Sequence, residues 1–394
     1  MLKINKILPI EKNHSVLQIA DFGAPYSGNF IALLQELSKY LGKSCFKQIL
    51  VLPKRASKQP WFSELIKSNG PVYLINEDTS ILNLSREIAK ICVIENVSLI
   101  HTHFTKFDVP SYLARTLAIL KGLKRKPSII WHVHSNFPVK KNVVRRIKDR
   151  IKWSFMGRQV HVICDSDELE EIIISKRFTG RSSVVINGVD IQRVLKTTTS
   201  RQSLRESLNI PHNNLLMLSF GWSPYVKGVD ILIKAAKELH RNDISILIIG
   251  KDLLNRYISK EFCKLPDNIV IAEPDECVGN LYNVADVFIS ASRYEGCPYS
   301  VMEAMATGLP VIASNIKAMK WARELPGITF FESENYDDLR QKILVISSMD
   351  LKRRNEISKL NSEFIKENYS TKSWVNNIIN IYRGLYLNEN SHFS

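Results

Sequence analysis

The stretch DVFISASRYEGCPYSVMEAMATGLPVIAS, residues 286–314, decides the fold. It has the pattern of a buried strand, a polar loop, a short helix and a second apolar strand. The predicted helix has clear ends, because Pro298 suits a first helical turn and Gly308 suits a left-handed stop. Glu295 and Glu303 flank the helix start, where free N–H groups attract anions. A loop and helix after a parallel strand is where open α/β sheets bind ligands.

This stretch resembles the E-x₇-E signature of the family-4 retaining glycosyltransferases, a group with the two-domain GT-B fold. The match continues through residues 303–306 and 308–311. The resemblance implies that Glu295 holds the donor sugar near its 3- and 4-hydroxyls and that Glu303 binds the ribose hydroxyls. The donor-binding residues that it implies in this stretch are Glu295, Gly296, Cys297, Pro298, Tyr299, Ser300 and Glu303. The alternative is a strand–helix–strand unit with two solvated glutamates.

Length and composition indicate an ordinary globular protein. The 394 residues suffice for about two domains. The six cysteines form no C-x-x-C pair and are typical of reduced thiols in a cytoplasmic protein. The first residues lack a signal-peptide pattern, and no run approaches the ~20 apolar residues of a spanning helix.

The positive charge is concentrated in the first half of the chain. Residues 1–190 contain 29 lysines and arginines against 16 acidic residues, whereas the remainder contains 25 against 23. Such an excess attracts phosphate groups of nucleic acid, anionic lipid or a phosphorylated substrate. No nucleic-acid recognition motif or aromatic platform accompanies the charge, so a nucleic-acid partner is not expected.

Strand and helix patterns alternate along the chain, which predicts parallel sheets covered by helices. The Asn-Gly turn in residues 187–190 resembles the family's passage out of the first domain. We therefore expect an α/β protein with a Rossmann-like acceptor-side domain over 1–190 and a nucleotide-sugar-binding Rossmann-like domain over 191–367. Residues 368–394 contain an amphipathic helix, which the resemblance implies crosses back to the first domain across the cleft.

The loop after the first strand carries Gly23 and Gly28. Glycines let the backbone approach a ligand closely, but no G-x-G-x-x-G dinucleotide fingerprint is present. In the resemblance this loop meets the donor phosphates or the acceptor. A plain tight turn explains the two glycines almost as well.

Four histidines follow two predicted strands in pairs. His101 and His103 match the family's H-x-H-F segment, and alternation in a strand points both rings to one face. No carboxylate or cysteine at matching spacing completes a metal site, so we expect no metal. His103 and His132 are predicted to line the cleft on the acceptor side. The resemblance implies that His134 contacts the donor sugar's 6-hydroxyl and supports the reaction centre. The alternative is a core or rim histidine bonded to a backbone carbonyl.

The second predicted domain opens with a strand and a loop that contains Gly221 and Lys227. A lysine at a helix N-terminus can neutralise a phosphate. The segment resembles the family's G-R-x₄-K-G, in which the arginine and lysine bind the donor diphosphate; Trp222 stands at the arginine position. Arg293 is a candidate to replace that arginine. Lys227, Glu295 and His134 are thus the expected catalytic residues.

Residues 140–156 read as a basic amphipathic helix with flanking aromatics, a pattern typical of a surface for anionic membranes. The residues predicted to face the membrane are Lys141, Arg145, Arg146, Lys148 and Lys152. The alternative, which is compatible with the first, is a solvated helix whose apolar stripe packs on the core.

Asp165-Ser166-Asp167 has the D-x-D form of metal-dependent transferases of another fold. It lies where a strand becomes a helix, and such residues cap helix N–H groups. We therefore interpret it as a helix cap.

Together these features predict a retaining hexosyltransferase that moves a sugar from a nucleotide sugar to a glycan or lipid-linked glycan acceptor, without metal or cofactor. The basic charge favours the inner face of a bacterial membrane and a surface polysaccharide pathway such as capsule, O-antigen or exopolysaccharide. The alternatives are a sugar-nucleotide epimerase or phosphorylase of the same fold, or a catalytically silent membrane-associated scaffold.

Overall fold

The computed structural model describes residues 14–43, 46–134 and 143–390. The chain forms two compact units: unit 1 comprises residues 1–186 and 374–394, and unit 2 comprises residues 187–373. The first junction lies four residues before the predicted boundary at 190, and the second lies six residues after the one at 367.

Unit 1 contains a seven-stranded, all-parallel sheet. Its strands are β1 (His14–Ala20), β2 (Phe46–Pro53), β3 (Val72–Ile75), β4 (Val97–His103), β5 (Ser128–Val133), β6 (His161–Cys164) and β7 (Arg181–Val184). The order across the sheet is β3-β2-β1-β4-β5-β6-β7. The α-helices between these strands are α1 (Gly28–Gly42), α2 (Phe62–Ser68), α3 (Ile81–Ile94), α4 (Asp108–Leu120), α5 (Val143–Ile151) and α6 (Asp167–Ser175).

The central strands of unit 1 are apolar and buried along most of their length, as expected where helices cover both faces of a parallel sheet. The last helix, α15 (Thr371–Asn390), supplies part of that cover. Trp374, Ile378 and Tyr382 of α15 are buried in one cluster with Val16 and Ile130 of the sheet. The predicted docking of the tail helix on the first domain is therefore confirmed.

Unit 2 contains a six-stranded parallel sheet in the order β10-β9-β8-β11-β12-β13. Its strands are β8 (Leu215–Phe220), β9 (Ile244–Ile249), β10 (Ile269–Ala272), β11 (Val287–Ser290), β12 (Val311–Ser314) and β13 (Ile328–Phe331). Its helices are α7 (Ile191–Leu195), α8 (Arg201–Ser207), α9 (Val229–Lys237), α10 (Asp252–Glu261), α11 (Val278–Val284), α12 (Tyr299–Ala306), α13 (Tyr336–Ser347) and α14 (Leu351–Asn368). The predicted α/β class with two Rossmann-like domains is confirmed.

The ends of α12 follow the local sequence closely. Pro298 is the N-cap, one residue earlier than predicted. Gly308 has a φ of +85°, and its N–H donates to Met305 O while that of Leu309 donates to Ala304 O. This pair of bonds is a Schellman motif, and it confirms the predicted left-handed stop.

Gly228 fixes the start of α9. Its φ is +62°, and a Cβ built there would lie 2.0 Å from Ala291 O. Glycine is therefore required at this position, directly after Lys227.

Candidate functional site

A closed network of polar side chains occupies the carboxyl ends of β1, β4, β5 and β6 in unit 1. Parallel register places these strand ends side by side, with His103 opposite His132. We call the seven side chains the histidine network: Gln18, His101, His103, His132, His134, Asp165 and Tyr382.

One arm of the network runs from Asp165 to Gln18. His134 Nδ1 lies 3.0 Å from Asp165 Oδ2, and His134 Nε2 lies 2.9 Å from His103 Nδ1. His103 Nε2 lies 2.7 Å from Gln18 Oε1. Three hydrogen bonds thus join β6, β5, β4 and β1.

The other arm returns from Asp165 through α15. His132 Nε2 lies 2.8 Å from Asp165 Oδ1, and His132 Nδ1 lies 3.2 Å from His101 Nε2. The Tyr382 hydroxyl lies 2.7 Å from His101 Nδ1 and accepts a hydrogen bond of 2.6 Å from Gln18 Nε2. The seven hydrogen bonds therefore form a closed ring.

Burial sets the charges inside the network. It lowers the pKa values of His101 and His103 well below 6.5 and that of His132 to about 4, so these imidazoles stay neutral. Burial alone would raise the pKa of Asp165. The positive charge that His134 carries when protonated, and the hydrogen bonds from His132 and His134, outweigh that effect and bring the pKa of Asp165 down to about 2.

The structure corrects the predicted positions of two cleft histidines. His103 and His132 are 0% and 1% exposed, and both nitrogens of each ring are bonded inside the network. Direct contact with an acceptor is incompatible with this arrangement. His134 is the more accessible member of its pair, with a side chain that is 7% exposed.

The D-x-D segment divides into two roles. Ser166 is the N-cap of α6 and accepts from Leu169 N, and Asp167 lies in the first turn, so the cap interpretation holds for these residues. Asp165 is instead a buried network member, which corrects the prediction for it. Sequence reasoning therefore missed the carboxylate that completes the histidine pairs, and it also missed Gln18 and Tyr382.

Histidines and a carboxylate this close suggest a metal site. Two sets, His101 with His103 and His132, and His132 with His134 and Asp165, have candidate ligand atoms within 4.8 Å of one another. Every ring nitrogen of these histidines is already hydrogen bonded to another network atom. A metal ion would have to break those bonds, so the residues as placed do not fit one. The expectation that no metal is required stays a prediction.

In unit 2, two of the predicted donor-binding residues lie against each other at the start of α9. Lys227 Nζ is 2.6 Å from Glu295 Oε1, and Ser292 Oγ donates to the same oxygen at 2.7 Å. Both charged side chains are 12% exposed. The Trp222 ring, whose centroid is 5.4 Å from Lys227 Nζ, adds a cation–π contact. The structure thus holds the ammonium in place beside a carboxylate and the N-terminus of α9.

Glu303 is mostly buried in the second turn of α12. Its carboxylate pairs with Arg193, and it accepts a 2.6 Å hydrogen bond from the Tyr282 hydroxyl. These contacts hold the carboxylate in one orientation.

Arg293 has a structural role that the sequence did not indicate. Its guanidinium makes two 2.8 Å hydrogen bonds to Asp230 and one of 2.6 Å to Tyr225 O. It also lies 4.2 Å from the centroid of the Tyr225 ring. These contacts tie the loop after β11 to α9. If Arg293 replaced the missing arginine at the donor, it would have to break these contacts. That role of Arg293 stays a prediction.

The remaining predicted donor residues lie on loops or helix ends near strand termini. Gly23 adjoins the Arg55 side chain, Gly28 begins α1 with a φ of +53°, and Gly221 packs against Ile248, Leu254 and Val229. Cys297 Sγ contacts Met302 Sδ at 3.7 Å, and Tyr299 and Ser300 form the first turn of α12 after Pro298. Gly296 follows Glu295 in the same loop.

The predicted membrane helix differs from expectation in two respects. Lys152 points inward: it pairs with buried Asp108 and lies 4.8 and 4.6 Å from the Trp131 and Trp153 ring centroids. This corrects its assignment to the membrane face.

The apolar side chains Ile147, Ile151 and Phe155 are 54%, 56% and 64% exposed, so this stripe faces outward. Lys148 is exposed in the same helix. Lys141 lies outside the described residues, as do the side chains of Arg145 and Arg146. Within the described part of the chain, no helix combines the length and apolar character needed to cross a bilayer.

Two family models match the chain in succession. Residues 33–193 match the model of glycosyltransferase family 4, and residues 200–363 match that of the glycosyl transferases group 1. The chain belongs to the family-4 glycosyltransferases of GT-B fold. Lys227, Glu295 and Glu303 all lie within residues 200–363, the part of this family-4 protein that matches the group 1 model.

Solved structures agree with this fold. A glycosyltransferase from Rickettsia africae is 21% identical with a TM-score of 0.78, over 95% of this chain and 99% of the other. Anabaena Alr3699/HepE in complex with UDP is 16% identical with a TM-score of 0.76, over 94% of this chain and 100% of the other. At these identities the likeness shows the fold alone.

A curated relative is the Escherichia coli UDP-Gal:alpha-D-GlcNAc-diphosphoundecaprenol alpha-1,3-galactosyltransferase. It is 26% identical over 257 residues, which cover 62% of this family-4 chain and 64% of the relative. The match therefore spans less than two thirds of the relative's length.

Proposed function

We propose that this protein is a retaining hexosyltransferase that moves a sugar from a nucleotide sugar to an acceptor hydroxyl. The observation that carries the proposal is the Lys227–Glu295 pair at the N-terminus of α9, in the region that matches the group 1 family model. Such a site offers a cation and helix N–H groups to a departing diphosphate and a carboxylate to the sugar.

The chemistry follows from these groups. Departure of the nucleoside diphosphate develops negative charge, which the Lys227 ammonium stabilises without having to reorganise, because Glu295 already orients it. Glu295 then accepts hydrogen bonds from sugar hydroxyls, and Glu303 accepts from the ribose. Lys227 thereby stabilises the negative charge that a metal ion stabilises in other transferases.

A UDP-hexose is the first donor to test, and a lipid-linked sugar the first acceptor. The name of the E. coli relative contains UDP-Gal and a diphosphoundecaprenol-linked sugar, and the Anabaena protein was solved with UDP. We place this protein in bacterial surface polysaccharide synthesis on that basis. A second candidate is a silent scaffold, which Trp222 at the arginine position favours.

The test is a thermal-shift panel of UDP-, GDP- and dTDP-sugars on wild type, Glu303→Gln and Glu261→Ala. A donor at about 100 times its Kd adds ~2.7 kcal/mol of stability to the wild type. We expect Glu303→Gln to lose that shift, because an amide replaces the carboxylate that accepts from the ribose. The exposed Glu261 on α10 is the matched control and should keep it.

An unchanged shift in Glu303→Gln would contradict the site. No shift in any protein would favour the scaffold. Product analysis of an active donor with and without acceptor separates a transferase from an epimerase or a phosphorylase.

We further propose that the protein works at the inner face of the cell membrane, through the surface formed by α5 and the following turn. The exposed Ile147, Ile151 and Phe155 can enter the interface while Lys148 and Arg150 meet anionic headgroups. Each basic residue near such a surface contributes ~1 kcal/mol.

We expect the double variant Ile151→Asp/Phe155→Ser to lose sedimentation with vesicles that contain anionic lipid, and to keep the donor thermal shift. The control is Leu120→Asp, which changes an exposed leucine at the end of α4 in the same unit. Equal vesicle binding by the double variant and the wild type would contradict the membrane proposal.

A further inference from the structure

We infer that the histidine network holds one proton more than four neutral histidines, Gln18, Tyr382 and an ionised Asp165 supply, and that Asp165 thereby fixes His134 as an imidazolium. Asp165 is then a positioning residue that acts through His134. The proton count stands on the network alone, whereas its use in sugar transfer rests on the function proposed above.

The inference comes from counting protons around the closed ring. Each of the seven hydrogen bonds needs one proton between its two heavy atoms. Gln18 and Tyr382 contribute one each, four neutral histidines contribute one each, and an ionised Asp165 contributes none. Six protons are therefore available for seven bonds.

Reversing the Gln18 amide does not remove the deficit. With Gln18 Nε2 on Tyr382, the tautomers leave the bond between His134 Nδ1 and Asp165 Oδ2 without a proton. With the amide turned over, the unprotonated bond becomes that between His132 Nε2 and Asp165 Oδ1. In either case two lone pairs would face each other at 2.8–3.0 Å in a buried site, which is unfavourable. One additional proton satisfies every bond.

The neighbouring groups locate that proton. The pKa values of His101, His103 and His132 are lowered, mainly by burial, which keeps these rings neutral. Burial alone would raise the pKa of Asp165, whereas the positive charge of a protonated His134 and the hydrogen bonds from His132 and His134 bring it to about 2, so an ionised Asp165 and a protonated His134 stabilise each other. The proton then belongs to His134. Outside the network, the charge of His161 acts on His101, and that of Glu170 acts on Cys164, which precedes Asp165 in the chain.

As an imidazolium, His134 acts through its positive charge and not through a hydrogen bond to the sugar. Both of its ring nitrogens are engaged, with Asp165 and His103, and the Phe30 and Phe104 rings lie 5.7 and 4.9 Å away. It therefore cannot donate a nitrogen-bound proton to a sugar hydroxyl without leaving the network. It instead presents a fixed positive charge at the carboxyl end of the sheet, suited to an anionic ligand such as a diphosphate.

Two substitutions change the count without removing a histidine. Asp165→Asn contributes an amide proton, so seven protons serve seven bonds with every histidine neutral. Tyr382→Phe opens the ring and leaves five bonds. Gln18, with its amide turned so that Nε2 donates to His103 Nε2, and four neutral histidines satisfy them. Both variants should remove the cation. Ile378→Val, a change of one methyl group in the same buried face of α15, should keep it.

The experiment is nitrogen-15 NMR of histidine side chains in the full chain at about pH 8, where exposed histidines of ordinary pKa are neutral. Wild type and Ile378→Val should show one imidazolium, assigned to His134 by its loss in His134→Gln. Asp165→Asn and Tyr382→Phe should show none. Only neutral rings in wild type, or a persistent imidazolium in Asp165→Asn, would overturn the inference.

Sugar transfer is measured on the same proteins. If the cation serves the reaction, Asp165→Asn lowers kcat at least tenfold at an unchanged melting temperature, and Ile378→Val does not. Unchanged transfer in a folded Asp165→Asn would overturn the role in transfer. Failure of the wild type to transfer any sugar would count against the proposed function and leave the NMR result to decide the proton count.

Discussion

Lys227→Ala is expected to lower kcat/KM for sugar transfer by about 10²–10³-fold, the loss seen when one preorganised charge-stabilising group is removed. The reason is the geometry of the pair. Its ammonium lies 2.6 Å from Glu295 Oε1 and is 12% exposed, so little water is available to replace it when diphosphate charge develops. Alanine would remove the cation that faces Glu295 and leave the negative charge of that carboxylate next to the departing diphosphate.

The measurement is steady-state transfer of radiolabelled sugar, with donor affinity followed separately by thermal shift. Lys237→Ala is the matched control, because it removes an exposed lysine from the last turn of the same helix. Lys227→Arg should retain part of the activity if charge is what matters. Activity in Lys227→Ala within about threefold of wild type would exclude Lys227 from the reaction.

The partner residue gives a second readout of the same interaction. If Glu295 orients Lys227, then Glu295→Gln and Lys227→Ala disrupt the same interaction. The double variant should then lose less transition-state free energy, calculated from kcat/KM, than the sum of the losses of the two single variants. Additive losses would show that the two residues act independently. In that case the orienting role of Glu295 is wrong even if both residues bind donor.

The elements that could be predicted from the sequence are those whose causes are local. Gly308 ends α12 because a left-handed residue is needed there, and Ser166 caps α6 because its hydroxyl meets a free N–H group. The pairing of Lys227 with Glu295 joins residues 68 positions apart, and only the parallel order of β8 and β11 brings them together.

The histidine network shows where such reasoning stops. Alternation placed each histidine pair on one face, but Asp165 looked like part of a helix cap because capping is the local explanation. Tyr382 is 281 residues from His101. It falls in the apolar stripe of α15, where the sequence pattern does not distinguish it from an ordinary core residue. A buried carboxylate and a tyrosine are recognised as partners only when the strand order is known.

Lys152 was misplaced for a different reason. The spacing assumed a regular α-helix through residue 156, whereas α5 ends at Ile151 and a π-helical turn runs over Lys152–Met156. That turn changes the angular step per residue, and Lys152 faces Asp108 inside unit 1.

Unit 1 is expected to lose stability steeply as the pH falls from about 6.5 to about 4, while unit 2 does not. Burial lowers the pKa values of His101 and His103 well below 6.5 and those of His132 and His161 to about 4. The folded unit therefore keeps these rings neutral, whereas the unfolded chain takes up protons once the pH is below about 6.5. Each proton that only the unfolded state takes up lowers the free energy of unfolding by roughly 1.4 kcal/mol for every pH unit that the pH falls.

Burial also raises the pKa of Asp108, so proton uptake by this carboxyl in the folded state offsets part of the loss, but it is one group against four histidines. Asp165, whose pKa is held near 2, stabilises the fold above the ordinary carboxyl pKa, and that contribution disappears only as the pH falls further. The two histidines of unit 2, His212 and His240, have side chains that are 53% and 81% exposed, and they give unit 2 no buried imidazole. Unit 2 thus serves as an internal control.

The measurement is amide hydrogen exchange in peptides from β4 and β5 and, separately, from β8 and β9, corrected at each pH for the intrinsic exchange rate. His132→Gln should flatten the pH dependence of unit 1, because an amide can accept from His101 and donate to Asp165 without titrating. At pH 4 the variant should have lost about 3 kcal/mol less than wild type, which is the lowered pKa of His132 expressed as free energy. His240→Gln should change nothing. Parallel loss of protection in both units, or a flat profile in unit 1, would mean that the buried histidines do not control acid unfolding.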